Sequence, residues 1–263
     1  MRGTPTDLSL SDKVALVAGS SRGIGYAIAS ALLREGARVV MTGRNEASLS
    51  AAVASLNGAT ATDRVLPLAG DLTDSVTCAQ CVERARSHWG RLDIVVGNVG
   101  LSKGTPGWDV PDDEWNQMLC ANLLGAVRLV RATVPALTEH GGSIVLTASI
   151  AGIQALPAPL PYSVAKSALI AGTVGLARLL ASKQIRVNAV APGNIYFAGG
   201  TWERLLAQQP QECRAYVERE VPLQRFGRPE EIADVAVFLA SERASFMTGT
   251  CVVVDGGQTR AFQ

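Results

Sequence analysis

The sequence predicts an α/β fold: a doubly wound parallel sheet of about seven strands with helices on both faces. Three observations predict it. Short, continuously apolar runs alternate with amphipathic helical segments along nearly the whole chain. Those runs lack the in–out alternation of a half-exposed sheet, so they are covered on both faces, as parallel strands are. A glycine-rich turn joins the first run to the first helical segment, and right-handed crossovers then wind the sheet outward in both directions.

KVALVA, 13–18, opens the sheet. IGYAIASALLRE, 24–35, has helical spacing and stops at Gly36, a residue suited to end a helix. ARVVMT, 37–42, is the second strand, followed by a helix over about 45–57, the strand VLPLA, 65–69, and a helix over 74–88. LDIVVG, 92–97, is the fourth strand; a long helix over about 112–138 leads to the fifth, SIVLTA, 143–148. A helix over about 161–182 precedes IRVNAVA, 185–191, and the tail holds a helix near 229–240 and a last strand, CVVVD, 251–255. No linker, repeat or low-complexity segment interrupts this rhythm, so residues 1–263 are expected to form one domain. Only Pro192 to Gly227 breaks it. A connection of that length suits a substrate loop or lid, about 193–227, and equally two short surface helices.

Apolar residues make up 48% of the 263 residues, enough for a large core. With 24 Lys plus Arg against 23 Asp plus Glu, the net charge is +1, which offers no global field for nucleic acid or an anionic membrane. The N-terminal MRGTPTDLSLSDK has no apolar run of the signal-peptide kind, and no uninterrupted apolar stretch reaches membrane-span length. A cytoplasmic protein without membrane partners is therefore expected. Five cysteines without a secretory signal do not make a disulfide framework. Cys78 and Cys81 form C-x-x-C, but no second pair or well-placed His completes four zinc ligands, so they are read as small helical residues and no metal is expected.

The loop Gly19-Ser20-Ser21-Arg22-Gly23-Ile24-Gly25 lies between a strand and a helix. Glycines there allow a tight turn and close approach of a pyrophosphate, which the helix N-terminus stabilises. The second strand ends Thr42-Gly43-Arg44-Asn45, without the acidic residue that would bind the 2′-hydroxyl of NAD. Arg22 and Arg44 instead suit a 2′-phosphate, so NADP(H) is the expected cofactor. Further on, Tyr162 and Lys166 sit i, i+4 on one helix face. A nearby ammonium favours the phenolate, so Lys166 is expected to lower the Tyr162 pKa and make Tyr162 a usable acid or base. Ser149, ending the fifth strand, is placed to hydrogen-bond the same substrate oxygen.

Together these motifs resemble the single-domain short-chain dehydrogenase/reductases, of the 3-oxoacyl-carrier-protein-reductase type, over nearly the whole chain. The glycine loop 19–25 matches; Asp71-Leu72 matches that family's adenine-contacting pair, and Asn98 and Gly100 part of its Asn-Asn-Ala-Gly stretch. Asn122, Ser149, Tyr162 and Lys166 match its catalytic tetrad, Pro192-Gly193, with Ile195 following, its nicotinamide-side turn, and residues 225–257 its tail. The resemblance implies a Rossmann-type fold and hydride exchange between NADP(H) and a carbonyl or secondary alcohol. Tyr162 would exchange the proton with the substrate oxygen, Ser149 would orient that oxygen, Lys166 would hold the nicotinamide ribose, and Asn122 would hold a water in a relay through Lys166. It also implies a homotetramer or dimer paired through the helices near 112–138 and 161–182.

Ala18, Gly97, Val99 and Phe197 depart from the family pattern, Phe197 standing where a cofactor-contacting Thr is usual. The substrate expected first is a 3-oxoacyl-type ketone. The alternative is a sugar or polyol, including an activated or amino sugar. Leu137-Thr-Glu-His-Gly-Gly142 lacks the basic run with which such reductases meet an acidic carrier protein, Lys183 supplying one basic contact at most. Trp108, Tyr196, Phe197 and Trp202 are expected on the pocket rim, with Arg204 nearby; Trp108 and Trp202 equally suit packing within their own loops, and Gly199-Gly200 suits either a lid hinge or a simple turn. A cofactor-binding regulator without activity is a third reading, opposed by the intact tetrad.

Overall fold

The first strand, β1 (Val14–Val17), is fully buried at every residue, which places it at the centre of the molecule. In the computed structural model, which describes residues 8–56 and 63–261, six further strands join it. They are β2 (Arg38–Gly43), β3 (Val65–Ala69), β4 (Ile94–Gly97), β5 (Gly142–Thr147), β6 (Ile185–Pro192) and β7 (Cys251–Val254). All pairings are parallel and the order is β3-β2-β1-β4-β5-β6-β7. The expected doubly wound sheet is thus observed. Residues 1–7 and the expected helix end at 57 lie outside the described residues.

Alternate residues along the strands feed two cores, one on each face. Leu16, Val40, Val95, Ile144 and Leu146 face α3 (Ser75–Trp89), α5 (Gly125–Leu137) and α6 (Leu160–Leu180). Ala15, Val17, Met41, Val96 and Val145 face α1 (Gly23–Arg34), α2 (Glu46–Ala54) and α9 (Pro229–Ala240). The edges differ from the expectation of strands covered on both faces. After the buried Val65, β3 alternates between partly buried and exposed residues, and β7 is only partly buried throughout. An edge strand has one neighbour and thinner cover, which is also why β3 tolerates Pro67.

The helix expected over 112–138 is not one continuous α-helix. It consists of α4 (Asp112–Leu119), a π-helical turn (Cys120–Leu124) and α5. The extra residue in the turn shifts the face that Asn122 presents, and Asn122 becomes almost fully buried. Between β6 and α9 the irregular stretch resolves into α7 (Thr201–Gln208) and α8 (Pro210–Glu220). The segments Asp112–Leu137 and Leu160–Lys183 are long and apolar enough to cross a membrane by length and composition. Their inner faces, through Leu129, Leu137, Leu169 and Leu180, are part of the core, and core helices of soluble proteins meet the same criterion.

Strand order reverses at β1, so the crevice beyond the C-terminal ends of β1 and β4 is the place where such a fold accepts a ligand.

Candidate active site

At the crevice the loop after β1 turns sharply into α1. Gly19 and Gly23 have φ of +65° and +58°, a left-handed backbone that favours glycine. Gly25 has no room for a side chain: a Cβ would run into the Gly19 carbonyl oxygen and come within 2.6 Å of Asn98 Nδ2. Asn98 Nδ2 donates to that same carbonyl at 3.3 Å, tying the loop to the end of β4. Across the loop, a Cβ on Gly43 would lie 3.1 Å from Ser21, so the end of β2 passes close beneath it. The first turn of α1 carries no acidic residue and its N-cap, Arg22, makes no side-chain cap bond. By contrast, Asn45 caps α2 and Asp74 caps α3. Uncapped N–H groups above a glycine cradle fit a bound pyrophosphate.

Arg44 is exposed just beyond β2. Arg22 is also exposed, but its Nη1 donates to the Gly199 carbonyl at 3.0 Å, so it bridges toward the segment after β6. The expected cofactor residues Asp71 and Leu72 part company. Asp71 is exposed, its carboxylate accepting from Thr73, whereas the Leu72 side chain is buried in the core and leaves only backbone to a ligand. Ile195 is likewise buried, pressed against Gly227 and the α9 side of the core. Pro192 ends β6, and a Cβ on Gly193 would come within 2.6 Å of Asp255, so the Pro192-Gly193 turn rests on the C-terminal tail.

Four residues from distant parts of the chain meet beside this turn. Asn122 Nδ2 donates to the carbonyls of Leu101 at 2.9 Å and Met118 at 3.1 Å, and its Oδ1 accepts from Leu101 N at 3.2 Å. Gly100 brings that amide to Lys166: a Cβ there would collide with Asn122 Oδ1 and lie 3.6 Å from Lys166 Nζ. Lys166 is almost fully buried and its Nζ donates to the Thr147 carbonyl at 2.7 Å, at the end of β5. The same Nζ stands 5.8 Å from the centroid of the Tyr162 ring. Ser149 follows β5; its Oγ accepts from Ala151 N at 3.2 Å, and its hydroxyl hydrogen-bonds Tyr162.

The electrostatics differ from the expected pattern. Burial raises the Tyr162 pKa above its ordinary value, and the Ser149 hydrogen bond only opposes that rise. Lys166 is not among the causes of that shift; burial pushes its own pKa down to about 8, which still leaves it a cation at neutral pH. A phenol held above its usual pKa keeps its proton at neutral pH, the state that donates to a carbonyl undergoing reduction. A lysine whose pKa falls on folding is a penalty that is full well below pH 8 and disappears as pH rises toward its ordinary 10.5. Lys166→Met is therefore expected to raise Tm at pH 6.5, with the gain shrinking toward pH 10. Differential scanning calorimetry across that range checks both the sign and the trend.

Of the two readings of Trp202, the structure shows packing within its own segment. Trp202 stacks on Tyr216 at 5.7 Å and against Phe226 at 5.1 Å, so it packs the α7–α8 unit internally. Trp108 is 82% exposed, Tyr196 leans on Phe226, and Arg204 is exposed. Phe197 lies over the glycine loop instead, close enough that a Cβ on Gly23 would come within 2.6 Å of its ring. Ser102 Oγ and Thr201 Oγ1, 2.9 Å apart, make a further link between the α7 end and the loop after β4. Sequence reasoning missed Gly152. A Cβ there would lie 2.6 Å from the Lys166 carbonyl carbon and 2.7 Å from Ser167 N, so the turn after Ser149 is pressed onto α6. Only the spacing to Ser149 could have hinted at it.

Cys78 and Cys81 are buried side by side on α3, where burial raises both thiol pKa values and Cys78 Sγ donates to the Leu72 carbonyl. Among the described residues no group of three or more metal-ligating side chains occurs. A cavity of about 410 Å³ opens at the opposite end of the sheet, around Lys13, Asp93 and Arg186. It shares no residue with the cluster described above; position at the switch point, not cavity size, marks the candidate site.

Comparison with known proteins agrees with this geometry. The family model described as Enoyl-(Acyl carrier protein) reductase matches residues 18–259. An uncharacterized oxidoreductase of Bacillus subtilis, YvrD, is 35% identical over 97% of this chain and 99% of its own length. The 3-oxoacyl-[acyl-carrier-protein] reductase of Thermotoga maritima is 33% identical over 95% of this chain and 99% of its own. Among solved structures, the L-sorbose reductase of Gluconobacter frateurii, complexed with NADPH and L-sorbose, superposes with a TM-score of 0.90 at 34% identity. That match covers 98% of this chain and 100% of that one.

Proposed function

The chain belongs to the short-chain dehydrogenase/reductase family and is a nicotinamide-dependent oxidoreductase of carbonyl and alcohol groups; from that premise we propose that it uses NADP(H) and acts on a small polar ketone and its alcohol, of the ketose–polyol class. The observation that carries the polar-substrate reading is the surface at 137–142. There Glu139 pairs with Arg86 at 2.5 Å, in a stretch without the basic side chains that would meet an acidic carrier. The full-length likeness to a sorbose reductase supports the same choice. The carrier-protein reductases at 33–35% identity favour the second reading, a 3-oxoacyl thioester.

In this proposal Gly19, Ser21, Gly23, Ile24 and Gly25 hold the pyrophosphate by backbone. Arg44, with Arg22 when it leaves Gly199, holds the 2′-phosphate. Asp71, Leu72, Asn98, Gly100, Pro192, Gly193 and Ile195 border the rest of the cofactor. Bound NADP(H) supplies or accepts the hydride at the substrate carbon. Tyr162 gives its proton to the carbonyl oxygen in reduction, and Ser149 donates a hydrogen bond that orients that oxygen. Lys166, fixed to the Thr147 carbonyl, and Asn122 hold the route by which the proton on Tyr162 is replenished. Oxidation needs the phenolate, which burial disfavours, so its rate is expected to climb with pH while reduction stays flat near neutrality.

The outward faces of the π turn, α5 and α6 leave Leu124, Val127, Leu160, Val164 and Val174 exposed. That apolar stripe supports pairing with a second copy, as a dimer or within a tetramer.

Two experiments test the reading. Arg44→Ala is expected to weaken NADPH relative to NADH by roughly tenfold in kcat/KM, the scale of one charge-assisted contact; an unchanged ratio would remove the NADP(H) argument. A panel of ketoses run with NADPH, beside a short 3-oxoacyl thioester, decides the substrate. Turnover confined to the thioester would overturn the polar-ketone choice and leave the cofactor assignment standing.

A further inference from the structure

The chain beyond β7 carries a buried amide that neither the motifs nor the proposed chemistry uses. Gln258 is 2% exposed. Asp255 sets its position, accepting from Gly257 N at 2.9 Å and Thr259 N at 2.6 Å, and Gly256 and Gly257 take φ of +68° and +88° to make the bend. Both ends of the Gln258 side-chain amide and its backbone carbonyl then find partners on three different segments. Its Oε1 accepts from Asn194 Nδ2 at 2.9 Å, immediately after the Pro192-Gly193 turn. Its Nε2 donates to the Tyr216 hydroxyl at 3.0 Å, on α8, and Tyr216 is the ring on which Trp202 of α7 stacks. Its backbone carbonyl accepts a long bond from Gln154 Nε2 at 3.5 Å, in the loop that follows Ser149. Gln154 Oε1 accepts in turn from Arg260 N at 2.9 Å.

These partners lie 64, 42 and 104 residues away from Gln258 in sequence. They belong to the turn after β6, the α7–α8 pair and the loop after β5 that begins at Ser149. We propose that Gln258 is a positioning residue: it sets α7 and α8 against the Asn194 turn and the Gln154 loop, and so fixes the width of the substrate pocket. It touches neither the Ser149 nor the Tyr162 side chain in the network described, so it governs substrate fit through Asn194 and Tyr216, not proton transfer. A buried amide suits this task because its two ends demand different partners, an acceptor end for Asn194 and a donor end for Tyr216. The inference rests on the placement of the active site at Ser149, Tyr162 and Lys166.

Two substitutions test it. Gln258→Leu keeps the bulk and removes both side-chain hydrogen bonds. Gln258→Glu keeps them, because a carboxylate accepts from Asn194 and from a Tyr216 hydroxyl that reverses its role. With the most active ketose of the panel as probe, Gln258→Leu is expected to raise KM about tenfold, as loss of hydrogen-bonded positioning does, with kcat changed less than about threefold. NADPH affinity, read by quenching of protein fluorescence, stays constant, and Gln258→Glu restores most of KM. Amide hydrogen exchange in the NADPH complex is the parallel readout: over 201–220 it accelerates in Gln258→Leu and recovers in Gln258→Glu, while β1, β4 and β5 are unchanged.

A KM that does not move in Gln258→Leu would overturn the proposal. So would KM, kcat and NADPH affinity worsening together in both variants, since that marks a mere tether for the tail. If no ketose is turned over, the substrate assignment fails by itself. The exchange readout then decides: unaltered exchange over 201–220 in Gln258→Leu refutes the positioning role, and selective, Glu-reversible exchange supports it.

Discussion

Tyr162→Phe is expected to lower kcat by about a thousandfold, within the range of proton-transfer catalysis, while NADPH affinity changes less than about threefold. The substitution removes one oxygen and keeps the ring, so the packing of α6 against the sheet is preserved. What disappears is the proton that a reduced carbonyl oxygen needs and the hydrogen bond with Ser149. Of the groups described around Tyr162, the Ser149 hydroxyl is far too weak an acid to take over that proton transfer. Lys166 is committed to the Thr147 carbonyl at 2.7 Å, and Asn122 is held by Leu101 and Met118. Comparing kcat, fluorescence-detected NADPH binding and Tm for the two proteins separates the outcomes. Loss of turnover with intact binding and Tm supports the assignment, and retained turnover would move the proton donor elsewhere.

Gly152→Ala should be nearly as damaging by a different route. A methyl group at this position meets backbone atoms of Lys166 and Ser167 at 2.6 and 2.7 Å, and no flexible side chain is there to give way. Either the turn Ile150–Gly152 lifts or α6 shifts, and both carry Ser149 away from Tyr162. A displacement of about 1 Å between reacting groups costs on the order of a hundredfold in rate, and overpacking of this kind costs about 1–3 kcal/mol in stability. The expected result is kcat/KM down about a hundredfold, with a measurable fall in Tm and NADPH binding largely kept. An unchanged kcat/KM would mean that the Ser149 turn tolerates movement and that its contact with α6 does not set the geometry.

These two residues mark what a linear reading of the chain reaches. Tyr162 is visible because its chemistry depends on a partner four residues away on the same helix. The glycine loop is visible because its glycines sit between a strand and a helix, and the sheet because alternating apolar runs and helices leave few other topologies. Gly152 is invisible because the atoms that exclude a side chain there belong to another helix. Gln258 is hidden for the same reason, its partners being dispersed over α8, the turn after β6 and the loop after β5. The break in the helix over 112–138 escapes notice because Cys120–Leu124 contains no Gly or Pro to mark it.

The pKa of Tyr162 depends on a balance that sequence does not weigh. The i, i+4 spacing correctly brings Lys166 near the ring, but sequence does not reveal that Lys166 is buried and Tyr162 partly so, nor that desolvation dominates the pKa of both. Phe197 shows a similar limit. Its departure from the family pattern is legible, but its place over Gly23, with Arg22 bonded to Gly199 alongside, follows from how the segment after β6 folds back on the loop after β1.

The most direct test of the central claim follows the hydride itself. NADPH carrying deuterium at both nicotinamide C4 positions is incubated with the protein and a ketose, and the product is analysed by mass spectrometry for label on the new carbinol carbon. One deuterium per product is expected, transferred from the cofactor and not acquired from solvent, with labelled product from Tyr162→Phe formed about a thousandfold more slowly. Product unlabelled at that carbon, or labelled product formed equally fast by the Tyr162→Phe protein, would contradict direct hydride transfer with Tyr162 as the proton donor.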